Sequence, residues 1–210
     1  EKYLEYYKNA LEFTGYPFSM FTVGSAFAVT AGAYVKRGGM NRRQAGEDFY
    51  FLQNLVQLGK VGEITSTKVY PSARLSDRVP FGTGPILQKW MNAEEDLTQT
   101  YNFNAFNDLK QFFKVKGNFY KIELEKFELL ISNLPQSVQR FLVHDLFWNE
   151  LDDLNRNCAT LKSFENRFFQ KFNAFKILKF LNFAHEHFYE KVELAEQIEK
   201  LERSDYLKHS

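Results

Sequence analysis

Gly46-Glu47-Asp48 is the stretch whose residue types and spacing could do chemistry, and that chemistry is proton abstraction. Phe49, Leu52, Leu55 and Val56 follow on one face at helical spacing, which predicts a helix from near Gly46 to Gly59 with both carboxylates in its first turn. Two readings of the pair stand side by side. Acidic residues in a first turn interact with the helix dipole by about 0.3–1 kcal/mol each, which is reason enough for their presence. A carboxylate held there is also a weak base that can take the proton of a hydroxyl. Glu95-Asp96 is the internal control: a second such pair, with no glycine before it, read as surface charge.

The elements that must position this pair lie on either side of it. Phe21, Val23, Ser25, Phe27 and Val29 alternate with Thr22, Gly24, Ala26 and Ala28, the period of a strand with one bulky and one small face. A small face lets a ligand approach the backbone, or lets a helix pack tightly on the strand. A short helix from about Thr30 to Arg37 follows, stopped by Gly38-Gly39. Val61 to Tyr70, rich in β-branched residues, predicts a second strand closed by Pro71.

Beyond Phe81-Gly82-Thr83-Gly84-Pro85 glycine nearly vanishes, so the chain divides into spans 1–84 and 85–210. The second span predicts helices near Leu87–Tyr101, Phe103–Val115, Ile122–Asn133, Ser137–Asn157 and Lys162–Arg203, the last either broken or continuous. Val143, Leu146, Phe147, Leu151 and Leu154 fall at helical spacing within the fourth. In the last, Phe164, Phe168, Phe169, Phe172, Phe175, Phe180 and Phe183 read as core, and Glu199 can pair with Arg203.

Composition narrows the function classes. The 210 residues include 27 basic and 26 acidic side chains, a net charge of +1 that gives no field for steering polyanions, so nucleic acid is not an expected partner. Cys158 is the single cysteine, which excludes an intramolecular disulfide and any Cys-based metal cluster. Twenty-three phenylalanines allow a compact core without long aliphatic runs, and no apolar run approaches the roughly 18 residues of a membrane span.

The order Val23-Gly24-Ser25-Ala26-Phe27-Ala28-Val29, Gly38-Gly39-Met40, Gly46-Glu47-Asp48 and Ser76-Asp77-Arg78-Val79-Pro80-Phe81-Gly82-Thr83-Gly84 resembles the C-terminal half of the catalytic domain of family 2 glycosyltransferases, which have the GT-A fold. The resemblance covers about Thr22 to Gly84, and its most specific part is Gly-Gly-Met followed closely by Gly-Glu-Asp. It implies an inverting transfer with Asp48 as general base on the acceptor hydroxyl and Glu47 beside it in the acceptor pocket. Gly24, Ser25, Ala26 and Gly39 would line that pocket. Arg78 would meet the leaving diphosphate, in a loop made flexible by Gly82 and Gly84, or else simply pair with Asp77 at the surface. Arg42 and Arg43 face either phosphate or solvent.

Members of this family hold the sugar nucleotide and a divalent metal, Mg or Mn, in a preceding α/β half that ends in Asp-x-Asp. No Asp-x-Asp occurs in this sequence, and nothing before Tyr16 can form a nucleotide-binding unit, so no cofactor or metal ligand is expected within this chain. The expected fold is α+β and helix-dominated: an incomplete GT-A-like α/β portion over 1–84, then an α-helical extension over 85–210. The chain reads as a C-terminal fragment, inactive alone, of a cytoplasmic enzyme using a nucleotide-sugar donor and a saccharide or lipid-linked acceptor. A truncated sheet would expose an edge, which favours self-association. Lys171, Lys176 and Lys179 beside the aromatics could rest on a membrane surface. The alternative is a non-catalytic helical interaction module.

Other candidates are weaker. His185 and His187, two apart on a helix, point to different faces and cannot form the four-apart metal pair. His144-Asp145 has no serine or cysteine nucleophile in context, and Cys158 reads as a buried thiol between helices.

Overall fold

The computed structural model describes residues 2–20, 26–40, 47–59, 61–62, 64, 66–67, 69, 92, 96 and 98–204. In chain order it contains α1 (Lys2–Phe13), α2 (Ala31–Lys36), α3 (Glu47–Leu55) and β1 (Gln99–Thr100). There follow α4 (Phe103–Lys114), α5 (Leu124–Ile131), α6 (Gln136–His144), α7 (Phe147–Arg156) and α8 (Leu161–Lys171). The chain continues through α9 (Ala174–His187), β2 (Val192–Glu193) and α10 (Leu194–Arg203). The fold is helix-dominated, with one small antiparallel sheet among the described residues, β1 against β2.

Packing divides the chain into two compact units, Glu1–Ser19 with Thr98–Ser210, and Met20–Leu97. This grouping differs from the expected spans 1–84 and 85–210, because α1 belongs with the helical region. Its apolar face, Tyr6, Ala10, Leu11 and Phe13, is buried against α4 and α10. The Tyr6 hydroxyl also donates to the Tyr101 carbonyl at 2.9 Å.

The core of the helical unit is aromatic. Phe106, Leu109, Phe112 and Phe113 recur along one face of α4, and all are buried. Phe112 meets Phe119, Phe147, Phe168 and Phe172 from three other segments, edge to face with Phe147 and Phe172, as ring quadrupoles favour. The phenylalanines expected as core bear this out at Phe164, Phe168, Phe169, Phe172 and Phe180, while Phe175 and Phe183 are half-buried.

Two expectations for this unit are corrected, and one alternative left open is resolved. The helix over Ser137–Asn157 is two helices, broken where Leu146 takes a left-handed conformation at φ 51°. The break turns Val143 and Leu146 outward, at 64% and 66% exposure, so they do not share the buried face of Phe147, Leu151 and Leu154. The segment Lys162–Arg203 is three helices. Asn173 begins α9 by accepting from the amides of Phe175 and Lys176 at 3.0 and 3.2 Å, which ends α8 before it. Thr98–Tyr101, expected at the end of a helix, is extended instead, because Gln99 and Thr100 pair with Glu193 and Val192. Glu193 Oε1 accepts from Thr98 Oγ1 at 2.8 Å and from Gln99 Nε2 at 2.9 Å, a tie that no local pattern announces.

In the unit Met20–Leu97, α2 and α3 match the two expected helices. The two expected strands are not formed where they can be followed. Residues 26–30 are irregular, and so are the described positions between 61 and 69, where Val61, Ile64 and Val69 are exposed. Alternation and β-branching prepare a chain for a sheet, but the ladder needs a neighbour, and none pairs with these positions among the described residues.

Candidate functional site

Glu47 and Asp48 occupy the first turn of α3, as their sequence context requires, and both are half-buried. Asp48 Oδ1 accepts from the Phe49 amide at 2.7 Å, in the turn where a helix presents its N-terminal amides. This bond orients the carboxylate and leaves Oδ2 for a second contact.

One turn on, Phe51 holds α3 in place. Its ring, 3% exposed, lies 6.1 Å from that of Phe27 and 5.2 Å from that of Tyr34. Tyr34 in turn lies over Gly39 in the turn that closes α2. The Gly38 amide donates to Val35 and the Gly39 amide to Tyr34, each at 3.0 Å, with φ of 71° and 75° at the two glycines. Phe27, Tyr34, Gly39 and Phe51 thus form one apolar junction that joins the Gly-Gly turn to the acidic helix. The sequence reading singled out neither Tyr34 nor Phe51. Their signal was available only as an aromatic seven residues after Phe27 and another three after Asp48, and only the second spacing falls within one helix.

The expected acceptor-site residues separate accordingly. Gly39 is in this junction, where its lack of a side chain makes room for Tyr34: an added Cβ would stand 2.9 Å from the ring. Ala26 is exposed on irregular chain. Gly24, Ser25, Arg42, Arg43, Arg78, Gly82 and Gly84 lie outside the described residues. Arg37, which the sequence reading passed over, buries its Nε beside the glycine turn with no hydrogen-bond partner among the described residues. It is a donor suited to an oxygen ligand.

The two glycines give a graded prediction. Gly38→Ala meets open space and strains only the left-handed backbone, by about 1–2 kcal/mol. Gly39→Ala carries the same strain and also pushes the Tyr34 ring off Phe51. Thermal unfolding should therefore show the larger loss for Gly39→Ala. Equal midpoints would mean that Tyr34, 41% exposed, swings aside without cost.

The divalent metal implied by the resemblance finds no ligand group among the described residues. Its Asp-x-Asp motif is missing from the sequence, and no group of three or more His, Cys, Asp or Glu converges among the described residues.

The helical unit contains the remaining candidates. Lys176, expected at a membrane-facing surface, is instead buried, and its ammonium pairs with Asp145 and with Glu150. Lys171 is bound to Asp153 at 2.6 Å, which holds that carboxyl below its ordinary range. A cleft of about 450 Å³ beside them is lined by Glu150, Gln170, Lys171, Asn173, Phe175 and Lys176, with Lys179 at its rim. The charges of Lys171 and Lys176 are spent on carboxylates, so the cleft does not select an anion. His144 stacks on Phe183 at 5.1 Å rather than facing a nucleophile. Cys158 is buried between α7 and α8, with the Arg167 guanidinium 3.9 Å from its sulfur. His185 and His187 diverge as their spacing requires: His187 meets Phe183 at the surface, while His185 turns inward. Among the described residues no helix is long and apolar enough to cross a membrane.

What fold and site define is thus a class: a helix-dominated α+β protein with two carboxylates at a helix start, one of them oriented by a backbone amide. Comparison with known proteins adds no narrower identity, since no family model, no curated protein and no solved structure matches this chain.

Proposed function

We propose that this chain is the acceptor-side part of an inverting glycosyltransferase of the GT-A type, with Asp48 as the general base. The observation that carries the reading is the run Gly38-Gly39-Met40 and Gly46-Glu47-Asp48 in one short stretch. It is supported by the junction of Tyr34, Gly39 and Phe51, which couples the glycine turn to the helix that begins at Glu47. Inversion at an anomeric carbon is a single in-line displacement, so one base opposite the leaving nucleotide suffices. Asp48 would take the acceptor proton, Glu47 would hold the acceptor, and Arg78 would meet the departing diphosphate. In this reading a preceding half supplies the nucleotide sugar and its divalent metal, the acceptor is a saccharide or a lipid-linked one, and the enzyme works in the cytoplasm.

The test is Asp48→Asn in the intact protein that carries this segment. Turnover should fall by about 10²–10⁴, the usual contribution of a general base, with donor binding unchanged. Near-normal turnover would remove Asp48 from the mechanism.

A second reading, an interaction module, is favoured by one observation. The helical unit has its own continuous aromatic core, yet it exposes Leu129 at 69%, Val143 at 64% and Leu146 at 66%. The parent reading frame separates the two: a nucleotide-binding βαβ region with Asp-x-Asp upstream of Glu1 supports the enzyme, and its absence supports the module.

A further inference from the structure

The geometry points to His185 as an acid-sensitive latch that fastens the segment Tyr101–Phe103, and through it α1, onto α9. Its two ring nitrogens are both committed. Nδ1 lies 2.7 Å from the Leu181 carbonyl, which can only accept, so Nδ1 carries a proton. Nε2 lies 2.8 Å from the Asn102 amide, which can only donate, so Nε2 must be bare. The imidazole can satisfy both partners only as the neutral Nδ1–H tautomer. A second proton would set N–H against N–H and cut the bond to Asn102.

What hangs on that bond is more than one amide. Asn102 is the N-cap of α4, accepting from the Asn104 amide at 3.1 Å. On one side of it the Tyr101 carbonyl receives the Tyr6 hydroxyl of α1, and the Tyr101 hydroxyl donates to Asn182 of α9 at 2.7 Å. On the other side the Phe103 amide donates to Gln197 Oε1 of α10 at 2.9 Å. The same corner holds two buried polar atoms without partners among the described residues, Thr100 Oγ1 and Gln197 Nε2. Opening this corner would hydrate both, which offsets part of the cost of unfastening it. Local opening here is therefore easier than in the all-aromatic core.

The surroundings favour the neutral ring. Tyr101 from the fastened segment lies 5.0 Å away and Tyr189 lies 6.2 Å away, with Tyr7 of α1 beyond Tyr101. Lys191 contributes a like charge. No carboxylate pairs with the imidazole among the described residues, since Asp108 is occupied by the Tyr189 and Ser137 hydroxyls, each at 2.5 Å. Burial, and to a smaller extent Lys191, hold the imidazole below its ordinary value of 6.5, against the Leu181 carbonyl, which favours the charged form. The opened state binds more protons than the closed one. The fastening is therefore complete above about pH 6.5 and weakens as pH falls toward the lowered value, below which it changes no further.

The test is amide exchange by NMR across this pH range, corrected for the intrinsic chemical rate, in the whole chain and in His185→Gln. Glutamine keeps an acceptor for Asn102 and a donor for Leu181 but does not titrate. In the wild type, exchange at Asn102 should accelerate below pH 6.5 by up to about tenfold per pH unit, while the Phe168 amide in the core stays protected. The variant should show no such acceleration. A flat wild-type profile, an equal pH response in the variant, or exchange at Asn102 no faster than at Phe168 would each overturn the latch. Should the variant fail to fold, the His185 ring resonances of the wild type decide: titration at or above 6.5 overturns the proposal, and titration below it upholds it.

Discussion

Phe112→Ala is expected to lower the stability of the helical unit by about 3–5 kcal/mol, a large share of the roughly 5–15 kcal/mol that holds a domain together. Phe112 is fully buried on α4, and five other rings lie around it: Phe113 at 5.5 Å, Phe119 at 5.6 Å, Phe147 at 6.0 Å, Phe168 at 5.8 Å and Phe172 at 5.0 Å. Those rings sit on α4 itself and on segments packed against it, so they cannot all close on the space left by an alanine without separating their own helices. The cavity term therefore adds to the lost transfer energy. Phe112→Leu, which keeps most of the volume, should cost about 1–2 kcal/mol. Denaturant unfolding followed by near-ultraviolet circular dichroism measures both. If alanine and leucine lose the same amount, the void is filled by relaxation and Phe112 is not the centre of the core.

Lys176→Met should cost about 3–5 kcal/mol, although methionine matches the lysine stem in length. The Lys176 side chain is 9% exposed and Asp145 is 13% exposed, so removing the ammonium strands Asp145 away from water. Glu150, 37% exposed, can turn outward and limits the loss. The ammonium also stands 5.6 Å from the Phe147 ring centre, a favourable position over a π face. Asp145 and Leu146 form the corner between α6 and α7, where Leu146 is held left-handed at a cost of about 1–2 kcal/mol. Lys176, reaching from α9, anchors that corner. Lys176→Met with Asp145→Asn should recover part of the stability, because the stranded charge is gone. A double variant no more stable than Lys176→Met alone would show that the loss comes from packing. Thermal unfolding of the four proteins of this cycle, the wild type included, gives the coupling directly.

These two positions mark the limit of what local sequence reveals. Phe112 stands with Phe106, Leu109 and Phe113 at helical spacing, so its burial follows from periodicity alone. The same holds for the start of α3 at Glu47, where the dipole favours acidic residues, and for the stop of α2 at Gly38-Gly39. Lys176 was misjudged because a lysine between aromatic residues reads as surface, and only the arrival of Asp145 and Glu150 from another helix brings it inside. Within the candidate site, the carboxylate pair and the glycine turn were legible as motifs, whereas the Tyr34–Phe51 contact that joins them was not.

The chain by itself determined what depends on neighbours a few residues apart: which stretches are helical, which faces are apolar, and where caps and glycines end an element. Tertiary structure alone decided what depends on partners far along the chain. It broke the segment Ser137–Asn157 at Leu146, since a left-handed leucine persists only where Phe147 and Asp145 are gripped from outside. It made Gln99–Thr100 extended by pairing them with Val192–Glu193 more than ninety residues away. It also drew α1 into the helical unit, because the apolar face of α1 is covered by α4 and α10, which nothing near Glu1 in the sequence could foretell.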